Sequence, residues 1–182
     1  MFGECNPIEL DDEQLVARAQ NDPAEFAPLY RRYVRPIYAF CYQRLGTREL
    51  AEDATSQAFV KALATLPNYR ARSFRGWLYA IARNVVTDLR RERPVSPLDG
   101  LSLVAGDDPA TEALRRTDEI DTRLLLDHLT PEQREVVELR LSGLNGPEIA
   151  EALDRPAGAV RALQFRAYQR LRALLATEEV RP

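Results

Sequence analysis

The chain has few of the residues that build metal centres, disulfides and nucleophilic active sites. It holds two cysteines, Cys5 and Cys41, and one histidine, His128, among 182 residues. No Cys-x-x-Cys pair or Cys/His cluster occurs, which argues against a zinc site. No nucleophile and base stand in a recognisable catalytic arrangement either. We therefore expect no metal, no cofactor and no enzymatic activity, and we expect Cys41 to be a small core residue.

Glycine and long apolar runs are also scarce. There are 8 glycines, yet hydrophobic residues make up 45% of the chain and recur at helical rather than alternating spacing. This pattern predicts an all-α protein. No run of 18 apolar residues occurs, so we expect no membrane insertion. The acidic N-terminus, MFGECNPIELDD, lacks a signal-peptide core, and we expect a cytoplasmic protein.

Charge is distributed in blocks of alternating sign. The net charge is −3 and the pI about 5.4, which argues against a protein that coats nucleic acid by bulk charge. Residues 1–25 carry seven acids against one arginine, and residues 94–127 carry eight acids against three. Residues 68–93 carry seven arginines against two acids, and residues 155–173 carry five arginines and no acid. The sequence thus predicts two basic surfaces separated by an acidic connector.

Helical periodicity and capping signals predict two small helical domains joined by a flexible acidic linker. The linker is the Pro-, Gly-, Ser- and Asp-rich stretch 94–111, between an N-terminal domain over 1–93 and a C-terminal domain over 112–182. The predicted helices span 12–20, 24–45, 48–66 and 74–93, then 112–128, 131–142, 147–153 and 157–176. Pro36 is expected to kink or interrupt the second helix, whose inward stripe includes Tyr30.

The stretch 143–175 predicts a helix, a tight turn and a second helix, an arrangement that fits a DNA major groove. The last helix places Val160, Leu163, Ala167, Leu171 and Leu174 on one side. The opposite side lacks acids and carries groups that suit base edges and phosphates: Arg161, Ala162, Phe165, Arg166, Gln169 and Arg172. The alternative is an amphipathic helix with a basic outer face. A helix-turn-helix by itself indicates DNA binding but does not identify a function.

The segment 74–93 is aromatic as well as basic. Its core face is Phe74, Leu78, Ile81, Ala82, Val85 and Leu89. Two flanking stripes remain, one of Trp77, Asn84, Asp88 and Arg91, the other of Tyr79, Arg83 and Arg90. The preceding loop offers Asn68, Tyr69, Arg70 and Arg72 as a rim where a flipped base could lodge. Such groups suit unstacked bases and phosphates. Alternatively, Trp77 and Tyr79 fill the domain core.

Taken together, these features resemble the sigma-70 family of bacterial RNA polymerase sigma factors, and more narrowly its two-domain extracytoplasmic-function (ECF) group. The similarity runs from about Leu15 to Leu175. It is carried by LVARAQNDPAEFAPLYRRYV, LAEDATSQAFVKALATLP, FRGWLYAIARNVVTDLRR and LTPEQREVVELRLSGLNGPEIAEALDRPAGAV, in this order and spacing.

The resemblance implies specific partners and residue roles. Core RNA polymerase would be contacted by Glu52, Asp53, Ser56 and Gln57. The −10 promoter element would be recognised and melted by Asn68, Tyr69, Arg72, Trp77, Arg83, Asn84, Asp88 and Arg91. The −35 element would be read as duplex DNA by Arg161, Ala162, Phe165, Arg166 and Gln169. An anti-sigma factor is the family's usual regulator.

Two departures from the family pattern lie at these positions. The usual Gln-Glu pair of the polymerase-docking helix is Ser56-Gln57 here, which weakens the acidic contact. The usual Thr-Val-Lys-Ser-Arg run of the recognition helix is the run 159–163, AVRAL, so we expect a −35 preference of its own. Two rival functions stay open from the residues: a helix-turn-helix regulator that acts without being a polymerase subunit, and a helical interaction protein that binds no promoter.

Overall fold

The computed structural model describes residues 10–92 and 125–178, with side chains up to residue 176. The chain divides into two compact units, Met1–Ser102 and Leu103–Pro182. The regular elements within the described ranges are all helices, as the spacing of apolar residues predicts. The predicted linker over 94–111 lies outside the described residues.

The described part of the first unit, residues 10–92, contains four α-helices, and each corresponds to a predicted one. They are α1 (Asp12–Asn21), α2 (Ala27–Leu45), α3 (Arg48–Thr65) and α4 (Phe74–Glu92), with short 3-10 helices at Pro23–Phe26 and Leu66–Asn68. Of the kink or interruption expected at Pro36, the interruption is wrong, because α2 runs through this residue without a break. Pro36 is exposed, so its ring lies on the solvent side of the helix.

Side chains at the helix starts explain why these boundaries are readable from the sequence. Asp11 and Gln14 form a reciprocal capping box at α1, in which each side chain bonds the other residue's backbone N–H. Thr47 caps α3, and the Ser73 hydroxyl accepts a bond from the Gly76 N–H at the start of α4. Gly46 ends α2 with a φ of 79°, a left-handed conformation that glycine adopts without steric cost.

Small residues on α3 let the other helices approach it closely. Ala51, Ala54, Ala58 and Ala62 have no exposed area, and they pack under the large apolar side chains of α2 and α4. Phe40 and Leu78 lie in this core. Tyr30 is an exception to the predicted inward stripe of α2, since 45% of its surface is exposed. It rests against the edge of Phe59 at 4.8 Å between ring centroids.

A partly buried polar cluster joins α1 to α2. Arg32 donates to the Asp12 carboxylate at 2.5 Å and to the Leu10 carbonyl at 2.6 Å, and the Tyr33 hydroxyl donates to the other Asp12 oxygen. Burial and the hydrogen bond to Asp12 raise the pKa of Tyr33 above its ordinary value. The short helix α1 is therefore held by directed bonds as well as by its buried Leu15 and Val16.

The second unit contains three α-helices in its described part: α5 (Pro131–Leu141), α6 (Gly146–Ala152) and α7 (Ala157–Glu178). Thr130 with Gln133, and Asn145 with Glu148, form capping boxes at α5 and α6. Helix α5 packs against α7, and so does α6. Most of the helix predicted over 112–128 lies outside the described residues, but 125–127 are helical, and Leu126 and Leu129 are buried with Val137 and Ala167.

Cys41 is fully buried, as predicted, and burial raises the pKa of its thiol from 9.0 to about 11. Because this pKa is higher in the folded protein, the contribution of the Cys41 thiol to stability is intact below pH 9 and is lost as the pH rises through 11.

In a Cys5→Ser variant at pH 8, we expect Cys41 to react with a thiol reagent ~100-fold more slowly than in the urea-unfolded chain, because only the thiolate reacts. Equal rates would contradict this burial.

Candidate nucleic-acid interface

Helix α7 separates cleanly into a buried and an exposed side. Val160, Leu163 and Ala167 are buried, with Leu171 partly buried beside them. The five predicted −35 residues are all exposed: Arg161, Ala162, Phe165, Arg166 and Gln169. Phe165 has 63% of its surface in solvent, although an aromatic ring gains most from burial. The exposed side therefore combines cations, an amide and an apolar ring without a carboxylate, the groups that read a major groove.

The turn between α6 and α7 is held by backbone hydrogen bonds and by one ion pair to α5. Asp154 adopts a φ of 49°, a left-handed conformation that aspartate tolerates better than most residues. Arg155 then donates to the Glu132 carboxylate on α5 at 2.6 Å. Arg155 belongs by sequence to the basic segment 155–173, but it is ion-paired and ties the turn to α5. The arginines on the outer side of α7 are those that follow it.

The aromatic surface of the first unit is a cluster of three rings in contact. Tyr69 lies edge-on to Trp77 at 4.9 Å and to Phe74 at 6.0 Å, and Phe74 lies 5.5 Å from Trp77. Phe74 is buried, whereas Tyr69 and Trp77 are each half-buried. The two predicted −10 aromatics are thus held from below and open on one side, a geometry suited to stacking with an unpaired base.

The remaining −10 candidates lie in the preceding loop and further along α4. Arg83 is half-buried on α4, and the others are exposed: Asn68, Arg72, Asn84, Asp88 and Arg91. Asp88 lies 4.0 Å from Lys61 of α3, at the limit of an ion pair. A cleft of about 740 Å³ opens between α1 and the loop, lined among others by Asp12, Tyr69 and Arg72. Tyr79, which the sequence pattern put on an outer stripe, is fully buried against Phe40 at 5.1 Å. That expectation is wrong, and the core alternative for Tyr79 is correct.

The predicted polymerase-contacting residues form a second polar surface of this unit, on α3. Glu52, Asp53 and Ser56 are exposed and Gln57 is half-buried. Arg48 donates to Glu52 at 2.7 Å, and Gln57 donates to Asp53 at 3.1 Å. These bonds run between adjacent turns of α3 and leave the carboxylates at the surface. Val60, with 69% of its surface exposed, continues the same face one turn further.

Sequence reasoning missed two features of the first unit. Helix α2 carries four arginines and no acid. Arg32 is bonded to Asp12 and Arg44 lies over the Phe40 ring at 3.8 Å, which leaves Arg31 and Arg35 exposed. A count of charge over 27–45 would have revealed this helix. The second feature is Gln20 on α1, which bonds the loop before α4, and no local pattern marks it.

Two negative findings apply to the described residues. Within 10–92 and 125–178, no three His, Cys, Asp or Glu side chains converge in a way that would hold a metal ion. Among the helices of those ranges, none is both long and apolar enough to cross a membrane.

Comparison with known proteins gives the family. The sequence matches Sigma-70 region 2 over residues 29–94 and Sigma-70 region 4 over residues 121–171. It is 33% identical to the ECF RNA polymerase sigma factor ShbA of Streptomyces griseus, over 88% of this chain and 93% of that protein. The chain belongs to the sigma-70 family, in its ECF group. Sigma factors are not enzymes, in agreement with the prediction from the sequence.

Other sigma factors of the ECF group are similar over much of the chain. BldN of Streptomyces coelicolor is 35% identical over 175 residues, which are 89% of this chain. The chain spans 65% of the length of BldN, less than two thirds of that relative. The solved complex of CnrH with the cytosolic domain of CnrY contains a chain of the same fold, with a TM-score of 0.69. CnrH is 25% identical, over 91% of this chain and 97% of that one.

The sigma-70 regions coincide with the surfaces described above. Region 2 takes in nearly all of α2 and the whole of α3 and α4, with the ring cluster and the acidic face of α3. Region 4 takes in α5, α6 and most of α7, with the exposed arginines and Phe165. Helix α1 precedes the region 2 match, although its side chains line the cleft beside Tyr69.

The two sides of α7 predict opposite responses to truncation. Phe165→Ala should change the free energy of unfolding by no more than about 0.5 kcal/mol, because the ring is exposed. Leu163→Ala, two residues away, should cost ~2–5 kcal/mol because it leaves a cavity in the core. Urea unfolding followed by circular dichroism measures both. A similar loss in the two variants would place Phe165 in the core instead.

Proposed function

We propose that this chain is a sigma factor that binds core RNA polymerase, directs it to specific promoters and promotes DNA melting at the start of transcription. The observation that carries the proposal is the pairing of two different nucleic-acid surfaces in one chain of this family. One is an open ring cluster with arginines around it, suited to unpaired bases. The other is an acid-free helix face in a helix-turn-helix, suited to duplex DNA.

We assign each part of the chain a separate role in promoter recognition. Residues 1–93 form the domain that docks on polymerase and recognises and melts the −10 element. Residues 94–111 are the linker, and residues 112–182 form the domain that reads the −35 element. The two proposed DNA-binding surfaces are positive, but the whole chain has a net charge of −3. Because the excess negative charge repels phosphate, the free protein should bind DNA weakly. Held together on polymerase in the cytoplasm, two weak sites gain effective concentration from their tether.

Individual side chains fit these roles. Tyr69 and Trp77 would stack with bases of the opened −10 strand, while Asn68, Arg72, Arg83, Asn84, Asp88 and Arg91 would contact its bases and phosphates. Arg161, Ala162, Phe165, Arg166 and Gln169 would face the −35 duplex. Glu52, Asp53, Ser56 and Gln57 would contact polymerase. The CnrH complex with the cytosolic domain of CnrY supports a regulatory protein partner, which we propose to be an anti-sigma factor.

Run-off transcription with purified core polymerase on a pool of genomic fragments tests the function. We expect discrete transcripts only when this protein is added, and co-elution of the protein with core on gel filtration. Binding of the fragments by the protein without core, with no new transcripts, would instead indicate a helix-turn-helix regulator. The sigma factor function would be refuted if no transcripts appeared and no complex with core formed.

Arg166→Ala tests the −35 surface on a promoter fragment that the run-off assay selects. Holoenzyme binding should weaken, and the slope of log K against log salt should fall by about 1, as expected for one lost phosphate contact. Arg18→Ala is the matched control, because it removes the same charge from an exposed arginine of α1, in the other unit. Equal changes of slope in the two variants would show that Arg166 makes no specific contact with the duplex.

A further inference from the structure

Gln20, near the end of α1, reaches across to the loop that carries Tyr69, one of the two −10 aromatics. Its side-chain amide donates to the Leu66 carbonyl at 2.9 Å and to the Tyr69 carbonyl at 3.3 Å. These acceptors lie 46 and 49 residues further along the chain, at either end of the 3-10 turn before the loop. One amide therefore fixes both the entry to the loop and the residue whose ring packs on Trp77.

The neighbouring Asn21 provides the contrast. Its amide donates to the Ala17 carbonyl at 2.8 Å, one turn back in the same helix. Asn21 is exposed, whereas Gln20 is partly buried and lines the cleft between α1 and the loop. Two adjacent amides thus make bonds of similar length, but only one of them connects α1 to the nucleic-acid surface.

Bonds within the loop also shape it. Arg70 donates to the carbonyls of Pro67 and Tyr69, both within three residues of itself, so these bonds shape the loop without connecting it to the rest of the unit. The ring of Tyr69 contacts Phe74 and Trp77 on α4. The backbone of Tyr69 is thus held by α1 while its side chain is held by α4.

We propose that Gln20 is a positioning residue for −10 recognition, which holds the Tyr69 backbone so that the Tyr69 and Trp77 rings stay in place for an unpaired base. This role rests on the proposed sigma factor function. Gln20 acts through the loop and needs no contact with DNA. Because Gln20 precedes the region 2 match, the inference assigns α1 a part in promoter opening.

The chain contains a single tryptophan, Trp77, so its fluorescence reports whether the Tyr69 ring still covers it. Gln20→Met keeps the length of the side chain and removes both donors, and Gln20→Glu keeps the shape but cannot donate. Asn21→Ala is the matched control. We expect acrylamide quenching of Trp77 to rise in both Gln20 variants and to stay at the wild-type value in Asn21→Ala.

Promoter opening is measured on the same proteins as holoenzyme, by permanganate reactivity of the −10 thymines. Opening should fall about tenfold in both Gln20 variants, the factor expected when a hydrogen bond that holds the loop is lost. Holoenzyme assembly and binding to the −35 duplex should stay unchanged, because α3 and α7 are untouched. Thermal unfolding shows whether each variant is folded.

Each other outcome overturns the proposal. Unchanged quenching means that Gln20 does not hold the loop, and raised quenching with normal opening means that the loop position is immaterial to melting. Unfolding of both Gln20 variants would make the residue merely structural. If the wild-type holoenzyme opens no promoter, the proposed function fails and this role fails with it, while the quenching comparison still reports separately on the loop.

Discussion

The Phe74 side chain packs against four aromatic rings, and the first unit depends on this contact. Two of the rings, Phe26 and Tyr33, belong to the interior, and the other two, Tyr69 and Trp77, reach the surface. A ring with 2% of its area exposed thus supports both the core and the surface proposed to bind unpaired bases. Aromatic stacking needs rings that are already oriented, and an apolar support orients them at little cost in side-chain entropy.

Hydrogen bonds and ion pairs add to the support that the aromatic rings give. Asp12 holds α1 against α2 through Arg32 and Tyr33, and Gln20 joins the other end of α1 to the loop. The short helix α1 is therefore held by directed bonds at both of its ends. The second unit also has a long-range polar contact, in which Arg155 bonds Glu132 and holds the turn before the recognition helix. In both units, long-range polar contacts beside an apolar core support the proposed nucleic-acid surface.

The sequence predicted the helices well because their signals are local. A capping box such as Asp11 with Gln14 uses residues three apart, and the apolar side of α7 repeats every three to four residues. The choice between Trp77 and Tyr79 could not be made in this way. Their positions lie about 100° to either side of Leu78, so periodicity makes them equivalent. Only the packing of α2, which brings Phe40 onto Tyr79, decides which ring is buried. The bonds of Gln20 span more than forty residues, so no local sequence pattern predicts them either.

The capping boxes at α1, α5 and α6 have a consequence for how the chain folds. Each one satisfies the first backbone donors of its helix with groups from the same turn, so these helices can begin before distant contacts form. Much of the packing also joins helices that follow each other closely, as in α2 with α3 and α3 with α4. Chains dominated by such short-range contacts have low contact order and fold in microseconds to milliseconds. We therefore expect each unit to mature soon after its synthesis, and the supply of folded protein to be limited by translation rather than by folding.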